Sequence, residues 1–153
     1  MRPRPRLRPT VRIRRPKFRL ADSAQQIVGG FLLAGPFVVT EEVWVLAGSM
    51  SNLQALLTVS IVGLIGYAAL YQADTKRDPD IEQQVAGVPV RFISLMCVSF
   101  GSVTILALVF DAPNTFLGAN GLSTLELVET TFKAISVGSV FSVVGAATAD
   151  SVL

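Results

Sequence analysis

Residues 92–110 read FISLMCVSFGSVTILALVF, an unbroken stretch without a charged side chain. As an α-helix it rises about 28 Å, close to the ~30 Å hydrocarbon core of a bilayer. A buried helix of a soluble bundle would still need polar residues at a 3.6 period on its outer face, and this stretch has too few. Further apolar runs lie at 27–48, 53–73 and 130–149; the second contains LLTVSIVGLIGYAAL at 56–70. The expected fold is therefore all-α: an integral membrane four-helix bundle, with helices at about 24–48, 53–73, 90–111 and 124–150 forming one domain over 22–153. The hydrophobic fraction of 51% and charged fraction of 16% in 153 residues agree with that class.

The chain has no His and a single Cys, Cys97. That excludes His-based catalytic triads, His-ligated haem, zinc sites built on His or paired Cys, and any internal disulfide. Cys97 lies mid-run with nothing nearby to stabilise a thiolate, and is read as an inert packed side chain. No phosphate-binding loop, serine elbow or metal-ligand spacing appears, so neither an enzyme nor a cofactor is expected.

Nine of the thirteen Lys and Arg residues, Arg2, Arg4, Arg6, Arg8, Arg12, Arg14, Arg15, Lys17 and Arg19, fall within residues 1–21, which carry no acid. Alternating prolines in RPRPRLRP preclude a helix, so 1–21 is expected to be a disordered basic tail. Its plain role is attraction to anionic lipid headgroups, about 1 kcal/mol per basic residue; nucleic-acid contact lacks interleaved aromatics. Arg14-Arg15 precedes a long apolar run with no small-residue cleavage site, so an uncleaved first helix is preferred to an export signal. Lys76, Arg77 and Arg91 fall on the same side as the tail, whereas the loops near 49–52 and 111–125 have no Lys or Arg. Both termini are accordingly expected in the cytoplasm, in the plasma membrane. The inner loop DTKRDPDIEQQVAGVP reads as a solvated connector, with Asp74 a partner for Arg91. In the outer loop PNTFLGANGLS, Phe116 and Leu117 are placed at the interface.

The first run contains an anomaly, GPFVVTEEVW at 35–44, with two adjacent carboxylates where lipid would be. On an undistorted helix Glu41 shares a face with Gly30 and Ala34, small residues that mark close helix approach, so it would point into protein. Pro36 leaves the Leu32 carbonyl without its donor and tends to kink the segment, and Thr40 can return its hydroxyl to the Pro36 carbonyl. Trp44 suits a half-wet interface. In the fourth run Glu126, Glu129 and Lys133 fall on one face at spacings of three and four. Two readings are open. In one, Lys133 pairs with Glu41 or Glu129 and the set fixes helix register; in the other, Glu41 and Glu42 bind or gate protons or small cations, with Glu126 and Glu129 as a vestibule and Lys133 as a modulating charge.

Packing is expected along Gly30, Ala34 and Pro36 and along Ala134, Gly138, Ser142 and Ala146, spaced by four. Ser60, Gly63, Tyr67 and Tyr71 on the second helix, and Arg91, Ser94 and Ser102 on the third, line either a water path or helix contacts. Four short helices enclose little volume, so a homo-oligomer or a membrane-protein partner is expected.

The segment DSAQQIVGGFLLAGPFVVTEEVW at 22–44 resembles a family of prokaryotic integral membrane proteins, frequent in halophilic archaea, known as a domain of unknown function. The resemblance implies an archaeal or bacterial membrane and transfers no catalytic residue. It leaves transport and an accessory, scaffolding role as the two functional expectations.

Overall fold

The computed structural model describes residues 18–73 and 77–152. Among these, the chain is all-α apart from one small hairpin: α1 (Leu20–Val38), α2 (Glu41–Ser49), α3 (Asn52–Tyr67) continuing as a π-helical turn (Ala68–Gln72), α4 (Val90–Val109), α5 (Ala112–Leu117) and α6 (Thr124–Val152). Three of these helical segments, 52–72, 90–109 and 124–152, are long and apolar enough to cross a membrane, and the bent pair α1–α2 makes a fourth if it is one span. At its 29 residues, α6 extends about 43 Å. It is the central element, packing against α1, α2, α3 and α4.

The expected single helix at 24–48 is two helices, bent by 80°. Pro36 lies near the end of α1 and Thr40 is extended, with its hydroxyl bonded to the Pro36 carbonyl. Trp44 is buried, not half-wet: its indole Nε1 donates to the Val38 carbonyl at 3.0 Å, giving a partner to one of the carbonyls left over where α1 ends, and its ring stacks on Phe116. The outer loop is not a plain turn either. Residues 112–117 form α5, and Leu117 joins the core with Trp44, Val38 and Ala34. At the other boundary α1 begins at Leu20, inside the span assigned to the tail; residues 1–17 lie outside the described residues.

The interior has three levels. At the Trp44 end, Ala34, Val38, Ala47, Val103, Ala107 and Ala134 pack together; at the opposite end Val62, Leu70, Leu95, Val143 and Ala147 do so. Between them α4 and α6 place Ser99, Ser102, Ser136, Ser139 and Ser142, all buried. Four of these hydroxyls return to a carbonyl four residues back in their own helix, and Ser142 crosses to the Gly30 carbonyl at 3.1 Å. Small side chains at this level let the helices close up. The approach is tightest where a Cβ on Gly29 would overlap the Gly145 carbonyl oxygen and one on Gly145 would overlap that of Gly29. Gly30, Ala34, Ala134, Gly138, Ser142 and Ala146 are buried as the packing stripes require, while Pro36 is exposed.

Candidate functional site: a buried ionic cluster

The strongest concentration of charge inside the molecule lies where α1 and α4 begin and α6 ends. Asp150, in the last turn of α6, has a fully buried carboxylate. A helix C-terminus disfavours an anion, so burial there demands compensating cations and donors. Arg91 supplies them from the first turn of α4, with Nη1 2.6 Å from Oδ1. Arg77 approaches Oδ2 at 3.4 Å and donates from Nη2 to the Asp150 backbone carbonyl at 2.9 Å, capping the helix end. Gln26 Nε2 of α1 donates to Oδ2 at 3.2 Å, and its Oε1 accepts from Ser94 Oγ at 2.7 Å.

Arg91 is the hub. Besides Asp150 it reaches Asp22 of α1 at 3.3 Å and Glu82 of the inner loop at 3.5 Å, and its guanidinium lies 5.1 Å from the Phe18 ring centroid. Glu82 in turn accepts from Tyr71 Oη at 2.6 Å. The π-helical turn at 68–72 carries Tyr71, itself buried. Three carboxylates and two guanidiniums thus tie together α1, the end of α3, the inner loop, α4 and α6.

The inner loop is therefore not a solvated connector throughout. Glu82 is buried, and a hairpin pairs Gln84 with Pro89 and Val85 with Val88. Its two-residue turn, Ala86-Gly87, has positive φ at both positions, the form that matches strand twist and favours glycine. The hairpin leads into α4 and so sets where Arg91 emerges. Asp74, the expected partner of Arg91, lies outside the described residues.

The residues singled out at the opposite end do not converge. Glu41 and Glu42 occupy the first turn of α2, favoured by its dipole, and both are exposed, beside Val45, Leu46 and Ser49 at an open surface groove. Glu41 does not point into protein, because the 80° bend takes it off the face it would share with Gly30 and Ala34. Glu126 is exposed and closes a capping box with Ser123, accepting from its backbone N–H at 2.8 Å. Lys133 is buried; its Nζ pairs with Glu129 at 2.9 Å and donates to the Met50 carbonyl at 2.8 Å, where α2 ends. Of the two expected partners, Glu129 is the one in contact.

The polar stripes divide in the same way. Ser60 is exposed and bonds back to Leu56, whereas Tyr71 and Ser94 belong to the ionic cluster. Among the described residues every buried side-chain nitrogen and oxygen has a hydrogen-bond partner. No protein-family model, curated protein or solved structure matches this chain.

Proposed function

We propose that this chain is a four-span protein of a prokaryotic cell membrane, with the α1–α2 pair as its first, broken span and both termini in the cytoplasm. In that setting it acts as a non-transporting accessory or scaffold subunit of a membrane complex, without catalysis of its own. The observation that supports the reading is the Arg91–Asp150 cluster. Its carboxylates and guanidiniums pair with one another across three helices and a loop, which suits a rigid framework rather than a site left open for an ion. The excess of Lys and Arg at that end favours a cytoplasmic orientation, with the tail against anionic headgroups.

Movement of protons or small cations by Glu41 and Glu42 is the second reading, favoured by two adjacent carboxylates open on one groove. Both lie on the outside of the molecule, so this reading requires a path between copies of the chain in a homo-oligomer. Flux of protons, Na+ and K+ into sealed liposomes bearing the inserted protein distinguishes the two. The scaffold reading expects no flux above that of empty liposomes; flux abolished by Glu41→Gln/Glu42→Gln would overturn it.

A further inference from the structure

Two polar layers cut across the helices. One is the ionic cluster, which holds Asp22 of α1, Tyr71 at the end of α3, Arg91 of α4 and Asp150 of α6. The other lies at the opposite end, where Lys133 of α6 meets Glu129 and the Met50 carbonyl. From Lys133 to Asp150, α6 rises about 26 Å, and from Arg91 to its end at Val109, α4 rises about 27 Å. The rise from Asn52 to Tyr71 is about 28 Å, and that from Asp22 to the end of α1 at Val38 about 24 Å. Four helices thus measure one slab, close to the ~30 Å hydrocarbon core of a bilayer. Beyond Lys133, α6 continues about 14 Å to Thr124, so Glu126 and Glu129 lie outside that slab.

The short helix α2 stays at the edge of the slab instead of re-entering it. It leaves α1 at 80°. Val38 just before it, Trp44 near its start and Ala47 near its end all pack in one cluster with Ala134, the neighbour of Lys133. The Met50 carbonyl, just past its end, takes the Lys133 ammonium. Away from that packed side, Glu42, Val45 and Ser49 share an exposed face. The glutamates and the backbone N–H groups that open the helix need water or headgroups, and hydrocarbon supplies neither. Val45 and Leu46, 65% and 51% exposed, favour the acyl boundary. The bilayer interface offers both environments within one helix diameter.

We propose that α2 lies in the plane of the membrane surface opposite the termini, seated in the headgroup layer, so that α1 alone makes the crossing of the broken span. The surface of α2 that the rest of the chain leaves uncovered is then covered by lipid headgroups. The inference rests on the membrane reading above, and its test separates the two. The full chain, in a Cys97→Ser background, carries one nitroxide label at a time, at Glu42→Cys, Val45→Cys or Ser49→Cys, in phosphatidylcholine–phosphatidylglycerol bilayers. Collision rates with oxygen and with a water-soluble nickel chelate give the depth of each label. Leu32→Cys on α1 and Leu64→Cys on α3, both exposed and midway along their crossings, serve as references.

Glu42 and Ser49 are about 10 Å apart along α2. A helix in the plane puts all three of its labels at one depth, within about 5–10 Å of the headgroup boundary and far shallower than those at 32 and 64. All three positions are exposed, so labelling leaves the packed side of Trp44 and Ala47 intact. A depth that changes by about 10 Å between 42 and 49, or a label at either position as deep as the references, overturns the proposal. References that collide mainly with the nickel chelate would overturn the membrane reading, and the proposal with it.

Discussion

At the scale of single residues, Asp150 and Glu41 show opposite fates of a carboxylate in an apolar sequence. The Asp150 carboxylate is fully buried among Arg91, Arg77 and Gln26, so Asp150→Ala takes from the Arg91 guanidinium, itself only 12% exposed, the nearest of its three carboxylates and removes an acceptor of Gln26 Nε2. Removing one partner of such a pair is expected to lower the unfolding free energy by about 3 kcal/mol. Replacing Arg91 and Asp150 together by Met is expected not to recover that loss, because Asp22 and buried Glu82 then lose the guanidinium both contact, and denaturation in detergent micelles reads both. Glu41→Gln/Glu42→Gln touches exposed side chains whose interaction with the rest of the molecule is the α2 dipole, so the same measurement is expected to fall by about 1 kcal/mol at most. Asp150 was legible in one respect: it continues Ala134, Gly138, Ser142 and Ala146 at spacing four, the inward face of α6. What hid it is position, since an acid at the end of an apolar run looks like a solvated terminus until a cation from another helix is brought to it. Arg91 was recognisable as needing a partner; that Glu82 and Asp22 also serve it depends on loop geometry with no sequence period.

At the scale of elements, the bend between α1 and α2 decides what the paired glutamates can do. Pro36 and Thr40 are local signals, and both the interruption and the Thr40 hydroxyl bond follow from them. The angle does not, because it is held from a distance: the Trp44 indole bonds Val38, while its ring lies on Phe116 of α5, 72 positions along the chain. A helical wheel carried across 39–40 therefore fails for Glu41 even though it succeeds for Gly30 and Ala34. Trp44→Phe preserves an aromatic surface for Phe116 and deletes the indole donor, leaving the Val38 carbonyl unpaired at a cost of about 1–3 kcal/mol. With spin labels at exposed Leu32 and Val45 in a Cys97→Ser background, the distance distribution across the bend is expected to broaden in the variant. An unchanged narrow distribution would mean that the backbone at Val39 and Thr40 holds the angle alone.

At the scale of the whole molecule, α6 is where the two ends communicate. Its Ser and Gly positions admit α1 and α4 closely, its last turn carries Asp150, and its beginning carries the Glu129–Lys133 pair that reaches back to Met50. Three long apolar helices were legible from run length, whereas the first run is broken into two, and the small-residue face of α6 was legible from its spacing. The point of closest approach was not, since Gly29 and Gly145 are one position removed from Gly30 and Ala146, a difference that only the crossing of α1 and α6 resolves. That crossing makes the final prediction specific. Gly145→Ala places a methyl against the Gly29 carbonyl and Leu33, a clash with backbone that no side-chain rotation relieves, and is expected to cost about 1–3 kcal/mol. Gly101→Ala on α4 meets open space and is expected to stabilise by up to about 1 kcal/mol through helix propensity. Gly145 is five residues, about 8 Å of helix, from Asp150, and pushing α1 away from α6 there also draws Asp22 and Gln26 off Arg91 and Asp150. The losses from Gly145→Ala and Asp150→Ala should therefore not add: in a double-mutant cycle the combined variant is expected to lose at least 0.5 kcal/mol less than the sum of the single changes. Additive losses would make the glycine crossing and the ionic cluster independent clamps rather than parts of one.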